Sequence, residues 1–321
     1  MIKKLLTGLC LTTSLVAGTT YAATDYPTRP ITVVVPFSPG GATDILARLL
    51  GERLAEKLGQ PVVVENKPGA GTMIASNHVA RAKPDGYTFL LAASSLGIAP
   101  SIYSKVDYDP VKDFTAVTQV ASVVHVLEVA PSLPVKTVQE LITYLKAHPG
   151  EVSYASVGVG TSTHLEAEMF KSMAGVEMQE IPYKGSAPAL TDLVAGRVQV
   201  MFDAWASSGP FAKSGKTRVL AVTTDTPSKS VPDIPTISTA VPGFSAMPWL
   251  GLVAPAGTPA PIVDKIYTEV AAILKEPAVQ EKFTSLGLDA IGSDPATFAA
   301  FIEKDIKTWG KVAKDANIRL D

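Results

Sequence analysis

Residues 31–44, ITVVVPFSPGGATD, constrain this chain more than any other stretch. The run of β-branched apolar residues at 31–35 predicts a buried strand. It ends in Pro-Phe-Ser-Pro-Gly-Gly, a strong turn signal, and helical spacing of apolar residues opens at Thr43 or Asp44. A strand that feeds a glycine turn and then a helix N-terminus leaves several backbone N–H groups unpaired and pointing one way. Such a unit is a cradle for an anion or a carboxylate.

The unit recurs. Strand patterns at 61–65 and 87–92 alternate with helical patterns at 44–58 and 72–81, which predicts a parallel sheet with helices on its faces. Gly59 stops the first helix in a Schellman-type position. A long apolar stretch at 117–129 reads in part as a strand passing from one lobe to the next. A second alternating set follows: helix 137–147 capped by Thr137, strand 152–155, helix 164–174, strand 180–183, helix 187–195 and strands 198–202 and 218–223. Residues 226–248 are proline-rich and irregular, and 250–254 is a returning strand. Helices at 260–274, 278–286 and 295–313 finish the chain. A chain that leaves one lobe, builds a second and returns has two crossings, and hence a hinge and a cleft. The expected limits are 24–124 with 249–321 for lobe one, and 125–248 for lobe two.

Lys3 and Lys4, the short apolar run at 5–18 and the small residues near Ala22 read as a secretory signal peptide over 1–23, cleaved after Ala22 or Ala23. The run is well short of the ~20 residues that span a bilayer. The single cysteine, Cys10, lies inside it and follows Leu9, which argues against lipidation. The mature chain then lacks cysteine, which excludes disulfides, a thiol nucleophile and thiolate metal sites. The formal charge of -2 and the absence of a concentrated basic patch argue against nucleic acid. The four histidines show no i, i+4 pairing, so no metal site is expected, and no cofactor either. No Gly-x-Ser-x-Gly elbow is present and no serine is partnered with histidine and acid, so no enzyme is expected.

Three loops share one grammar: residues 37–44, 156–164 and 183–186. Each lies where a strand ends, the edge at which open α/β sheets bind ligands. Gly40, Gly41, Gly158 and Gly160 either serve tight turns alone or open the backbone to a ligand. Residues 158–163, GVGTST, resemble a dinucleotide fingerprint that has lost its third glycine, a weak signal. Asp44 reads most simply as the N-cap of its helix, with a ligand-facing role as the alternative. Asp203 caps a strand end or faces the ligand. His164 reads as a first-turn residue bonded locally. Trp205 and Trp249 either line the cleft or belong to the core.

Taken together, the segments YPTRPITVVVPFSPGGATD, VENKPGAGTMIAS, KPDGYTFL, LKAHPGEVSYASVGVGTSTHLEAEMF, IPYKGSAPALTDLVAGRVQVMFD and WLGLVAPAGTPAPIV, in this order, resemble Bug-type (TctC-like) extracytoplasmic solute receptors. These are the binding components of tripartite tricarboxylate transporters, and the likeness covers essentially the whole chain. It implies an α/β, two-lobed periplasmic binding-protein fold of type II-like form, each lobe a mainly parallel sheet flanked by helices. It implies a small carboxylate ligand (a di- or tricarboxylate, an amino acid or an aromatic carboxylate) held by main-chain N–H groups and ordered waters. Carried over by position, the ligand-binding residues are Phe37, Ser38, Gly40, Gly41 and Asp44 from lobe one. From lobe two they are Ser156, Gly158, Gly160, Thr161 and Ser162, with Tyr183, Gly185 and Asp203. Ser94 and Ser95 are weaker candidates. Met247, Pro248 and Trp249 are expected to form a variable wall, where proline points to a flatter, more apolar ligand body. Membrane transporter subunits are the implied partners, and a two-component sensor is the alternative. A periplasmic monomer is expected.

Overall fold

The computed structural model describes residues 26–228, 230–315 and 318–320. The expected signal peptide lies outside the described residues. β1 (Ile31–Val35) runs through the proline-glycine turn into α1 (Ala42–Leu58). β2 (Val62–Asn66), a 3₁₀ turn (Ala70–Thr72), α2 (Met73–Ala80), β3 (Thr88–Ala93), α3 (Ser95–Ile102) and β4 (Phe114–Val123) follow. The second half holds β5 (His125–Val129), α4 (Val138–Ala147), β6 (Ser153–Ser156), α5 (Ser162–Ala174), β7 (Gln179–Pro182), α6 (Ser186–Val194), β8 (Val200–Ala204), α7 (Trp205–Lys213) and β9 (Arg218–Val222). The chain then returns through β10 (Trp249–Pro255), α8 (Ala260–Ile273), α9 (Pro277–Ser285), β11 (Leu288–Ala290) and α10 (Pro295–Asp315).

Two sheets result, six strands in the order β11-β4-β10-β3-β1-β2 and five in the order β7-β6-β8-β5-β9. Each is parallel through three neighbouring strands and antiparallel beyond them. The parallel part carries the strand–loop–helix units. The antiparallel part begins at the crossing strands, which enter each sheet from the opposite end. The apolar stretch expected to cross between lobes is in fact two strands, β4 in one sheet and β5 in the other, parted at Val124.

Burial fixes where the helices start. Leu46, Leu50 and Leu54, four residues apart on α1, pack in one core with Val33, Val35, Phe89 and Leu91 from β1 and β3. Full burial of each leucine is worth about 1.5–3 kcal/mol. In the second half Phe170 of α5 meets Phe202 of β8 and Phe244, with ring centroids 6.0 and 6.5 Å away. Thr137 caps α4 as expected, accepting from the Glu140 N–H. Asp44 does not cap α1: the helix opens two residues earlier, at Ala42, behind Gly41 with no side-chain cap.

Candidate functional site

A cavity of about 50 Å³ lies between the two sheets, where the loops after β1 and β6 face each other. From the first half it is lined by Phe37, Gly41, Ala42, Thr43, Ala93 and Val123, and from the returning strand by Pro248, Trp249 and Leu250. His125, Val157, Ser162, Thr163, Ser186, Asp203 and Ala204 complete it from the second half. No lysine or arginine is among these lining residues. The first turns of α1, α5 and α6 all reach it. Among the described residues, the backbone N–H groups of Thr43, Ser162, Thr163 and Ser186 have no acceptor. Three helix N-termini with free donors therefore aim at one small space, each favouring an anion by ~0.3–1 kcal/mol.

The two halves touch directly around the cavity. Ser38 donates its N–H and its hydroxyl to the Lys184 carbonyl, both at 2.9 Å. The Tyr103 hydroxyl donates to the Val159 carbonyl at 2.9 Å, and the Ala42 N–H donates to Ser207 Oγ at 3.1 Å. The arrangement is closed.

Two glycine loops shape the walls. Asp44 accepts from the Gly40 N–H at 2.9 Å, from Arg48 Nε and Nη2 at 3.0 and 2.9 Å, and from Asn66 Nδ2 at 3.0 Å. Burial pushes its carboxyl up, but Arg48, the Gly40 N–H and Asn66 together hold it below the usual carboxylate range. In the other loop His164 Nδ1 accepts from the Gly160 N–H at 3.2 Å. Burial lowers the basicity of that imidazole against the opposing pull of Glu180 and Glu168, which keeps the acceptor lone pair free. The Thr161 hydroxyl closes the same turn on the Gly158 carbonyl at 2.6 Å.

The residues nominated from the sequence divide among distinct places. Phe37, Gly41, Ser162 and Asp203 line the cavity. Gly40, Asp44, Ser156, Gly160 and Thr161 shape the loops, with the Ser156 hydroxyl donating to Glu180 at 2.6 Å. Ser38, Gly158, Tyr183 and Gly185 lie where the two halves meet, beside a second cavity of about 220 Å³ or against each other. Ser94 is buried and accepts the Trp249 N–H at 3.0 Å, while Ser95 accepts from the Thr72 hydroxyl at 2.9 Å, so neither lines the cavity. Trp249 and Pro248 do form a wall, whereas Met247 is exposed outside it and Trp205 packs under Gly287.

His125 is a lining residue outside all three expected loops that sequence reasoning passed over. Its one legible signal was position, a polar residue inside the apolar run 117–129. It is buried, and Nδ1 pairs with Glu166 of α5 at 2.9 Å. Asp203, across the end of β8, accepts the Ser186 hydroxyl at 2.7 Å. Burial pushes the Asp203 carboxyl up to about 6, moderated by the hydrogen bond from Ser186 and the charge of His125.

The family model of the tripartite tricarboxylate transporter family receptor matches residues 46–318. The chain belongs to that family. Its members are solute-binding receptors, and the solved structures this chain resembles are periplasmic binding proteins. Protein BugT of Bordetella pertussis is 36% identical over 316 residues, 98% of this chain and 97% of that protein. The R. palustris protein Rpa4515, solved with adipate, is 41% identical with a TM-score of 0.90, covering 92% of this chain and 99% of that one. MatC of Rhodopseudomonas palustris, solved with bound malate, is 34% identical with a TM-score of 0.86, covering 89% and 99%. Among the described residues no group of three or more His, Cys, Asp or Glu could hold a metal ion.

Proposed function

We propose that this receptor works outside the cytoplasm, captures a small carboxylate-bearing solute between its lobes and hands it to tripartite membrane transporter subunits. Lobe one comprises 24–124 and 249–321, and lobe two 125–248. The observation that carries the reading is the convergence of the α1, α5 and α6 N-termini on one closed cavity without lysine or arginine. Backbone donors of this kind bind a carboxylate with little reorganisation, since the helices fix them before the ligand arrives. The apolar walls of Phe37, Val157, Pro248 and Trp249 then exclude water and suit a hydrocarbon body. Adipate and malate in related structures support the same class of ligand.

Capture begins on an open form, and closure joins Ser38 to Lys184 and Tyr103 to Val159 over the solute. Closure presents a joined surface that a membrane partner can distinguish from the open one. A thermal-shift panel tests the reading, with aliphatic di- and tricarboxylates, acidic amino acids, and pyridine and benzene carboxylates. A ligand at a hundred times its dissociation constant adds about 2.7 kcal/mol of stability, a shift of several degrees. A selective shift with an acid, absent with its amide, is the expected result. A protein stripped of any co-purified solute that responds to no acid in the panel would overturn the reading.

A further inference from the structure

Within the cavity one side chain is built to carry positive charge. His125 opens β5 at the crossing between the sheets, lines the cavity and is only 5% exposed. Its Nδ1 lies 2.9 Å from Glu166 Oε2, and its Nε2 has no partner among the described residues. Glu166 is wholly buried, and its other oxygen has no hydrogen bond. A buried carboxylate with a single partner is costly unless that partner shares its charge, which favours a proton on both imidazole nitrogens. Resting on the carboxylate reading above, we propose that His125, oriented by Glu166, donates from Nε2 to a second anionic group of the solute and so selects diacids over monoacids.

The surroundings agree with this. Burial alone would lower the basicity of His125, but the Glu166 charge and hydrogen bond, with Asp203 behind them, raise it above the ordinary histidine range. The charged groups that act on the ring are Glu166 from α5 and Asp203 from β8; Glu128, on its own strand, faces Ser208 and acts on Asp203 instead. Arg218 of β9 pairs at the far end, opposite Val129. Asp203 would repel a second carboxylate if ionised. The rise of its carboxyl to about 6 lets it take a proton as the diacid enters. Diacid binding therefore tightens as pH falls from neutrality toward about 6, where Asp203 takes up its proton.

The test uses titration calorimetry of the whole mature receptor with adipate, malate and hexanoate, on wild type, His125→Gln and Asp203→Asn. In wild type adipate should bind about ten- to a hundredfold more tightly than hexanoate, the scale of a hydrogen bond to a charged group. In H125Q the two should converge, while D203N keeps the preference and loses part of the pH dependence. Nitrogen-15 spectra of the wild-type imidazoles, assigned with single substitutions of the other three histidines, provide a readout that needs no folded H125Q. Both His125 nitrogens should be protonated at neutral pH in the receptor. If no acid of the wider panel binds, the carboxylate reading falls and this inference with it. If acids bind but the diacid preference survives in H125Q, or the His125 ring is neutral in the spectra, this inference alone is overturned.

Discussion

The loops after β1 and β6 each place a glycine N–H on the side chain four residues later, Gly40 on Asp44 at 2.9 Å and Gly160 on His164 at 3.2 Å. Both glycines adopt left-handed backbone, with φ of 87° and 82°. The acceptors differ in kind. Asp44 is an anion tied to Arg48 and Asn66, so the first loop is held by charge. His164 is buried and accepts only while Nδ1 is unprotonated, so the second loop is held by a neutral ring. The same backbone shape thus tolerates opposite electrostatics, because what a helix start needs from its neighbour is one well-placed acceptor. The consequence is functional: the first loop keeps its form down to low pH, while the second depends on an imidazole that burial holds neutral below the ordinary histidine range.

The comparison breaks most sharply at the glycines. A Cβ on Gly160 would lie 2.7 Å from Tyr103 and 2.9 Å from Ile102, across the join between the halves. On Gly40 the nearest atom would be 3.6 Å away, an ordinary contact. Both substitutions bear left-handed strain of ~1–2 kcal/mol, but Gly160→Ala must also push the halves apart. Calorimetry should therefore find Gly160→Ala weaker for ligand by about a hundredfold and Gly40→Ala by about tenfold at most. Equal losses would mean that the two loops are under the same constraint.

Removing the charged acceptor comes next. Asp44→Ala leaves the Gly40 N–H, Asn66 and Arg48 without their shared partner, and denaturant unfolding should show a loss of about 2 kcal/mol. His164→Asn retains an acceptor and should lose only about 1 kcal/mol.

Acid separates the loops in order. Folding favours neutral His164, so its contribution is complete above the ordinary histidine value of about 6.5 and is lost as pH falls through its depressed folded value. Folding favours ionised Asp44, so its contribution is complete above the ordinary carboxylate value of about 3.9 and is lost only as pH falls through a lower folded one. Hydrogen exchange should show the Gly160 amide deprotected at mildly acidic pH while the Gly40 amide stays protected, and H164N should abolish the difference. The smallest effect belongs to Ser38→Ala, which removes one exposed hydroxyl bond to Lys184 but leaves the backbone bond at 2.9 Å. Ligand affinity should fall by no more than about threefold.

Most strands and the three glycine loops were legible because both depend on local patterns; the short β11 was not, and Ser94 and Ser95 after β3 do not line the cavity. Helix α3 was not legible either, since Gly97 and Pro100 interrupt its spacing. Its backbone is completed from afar, where the Tyr108 hydroxyl donates to Leu96 O, the carbonyl that Pro100 leaves free. Helix α7 hid behind Gly209 and Pro210 in the same way. Asp44 misled because an aspartate before a helical run is the usual cap, and only packing of Leu46 against the core moves the start back to Ala42. His125 could not be assigned from the sequence because Glu166, its partner, is 41 residues away on another element.

The central claim is that helix-start N–H groups, without lysine or arginine, bind a carboxylate between closing lobes. The direct measurement is calorimetric titration of the mature receptor with the acid that shifts its melting point most, beside the corresponding amide. The account predicts that the acid binds at least about a hundredfold more tightly, the sum of several dipole and backbone donor contributions. An amide that binds as tightly as the acid would contradict it.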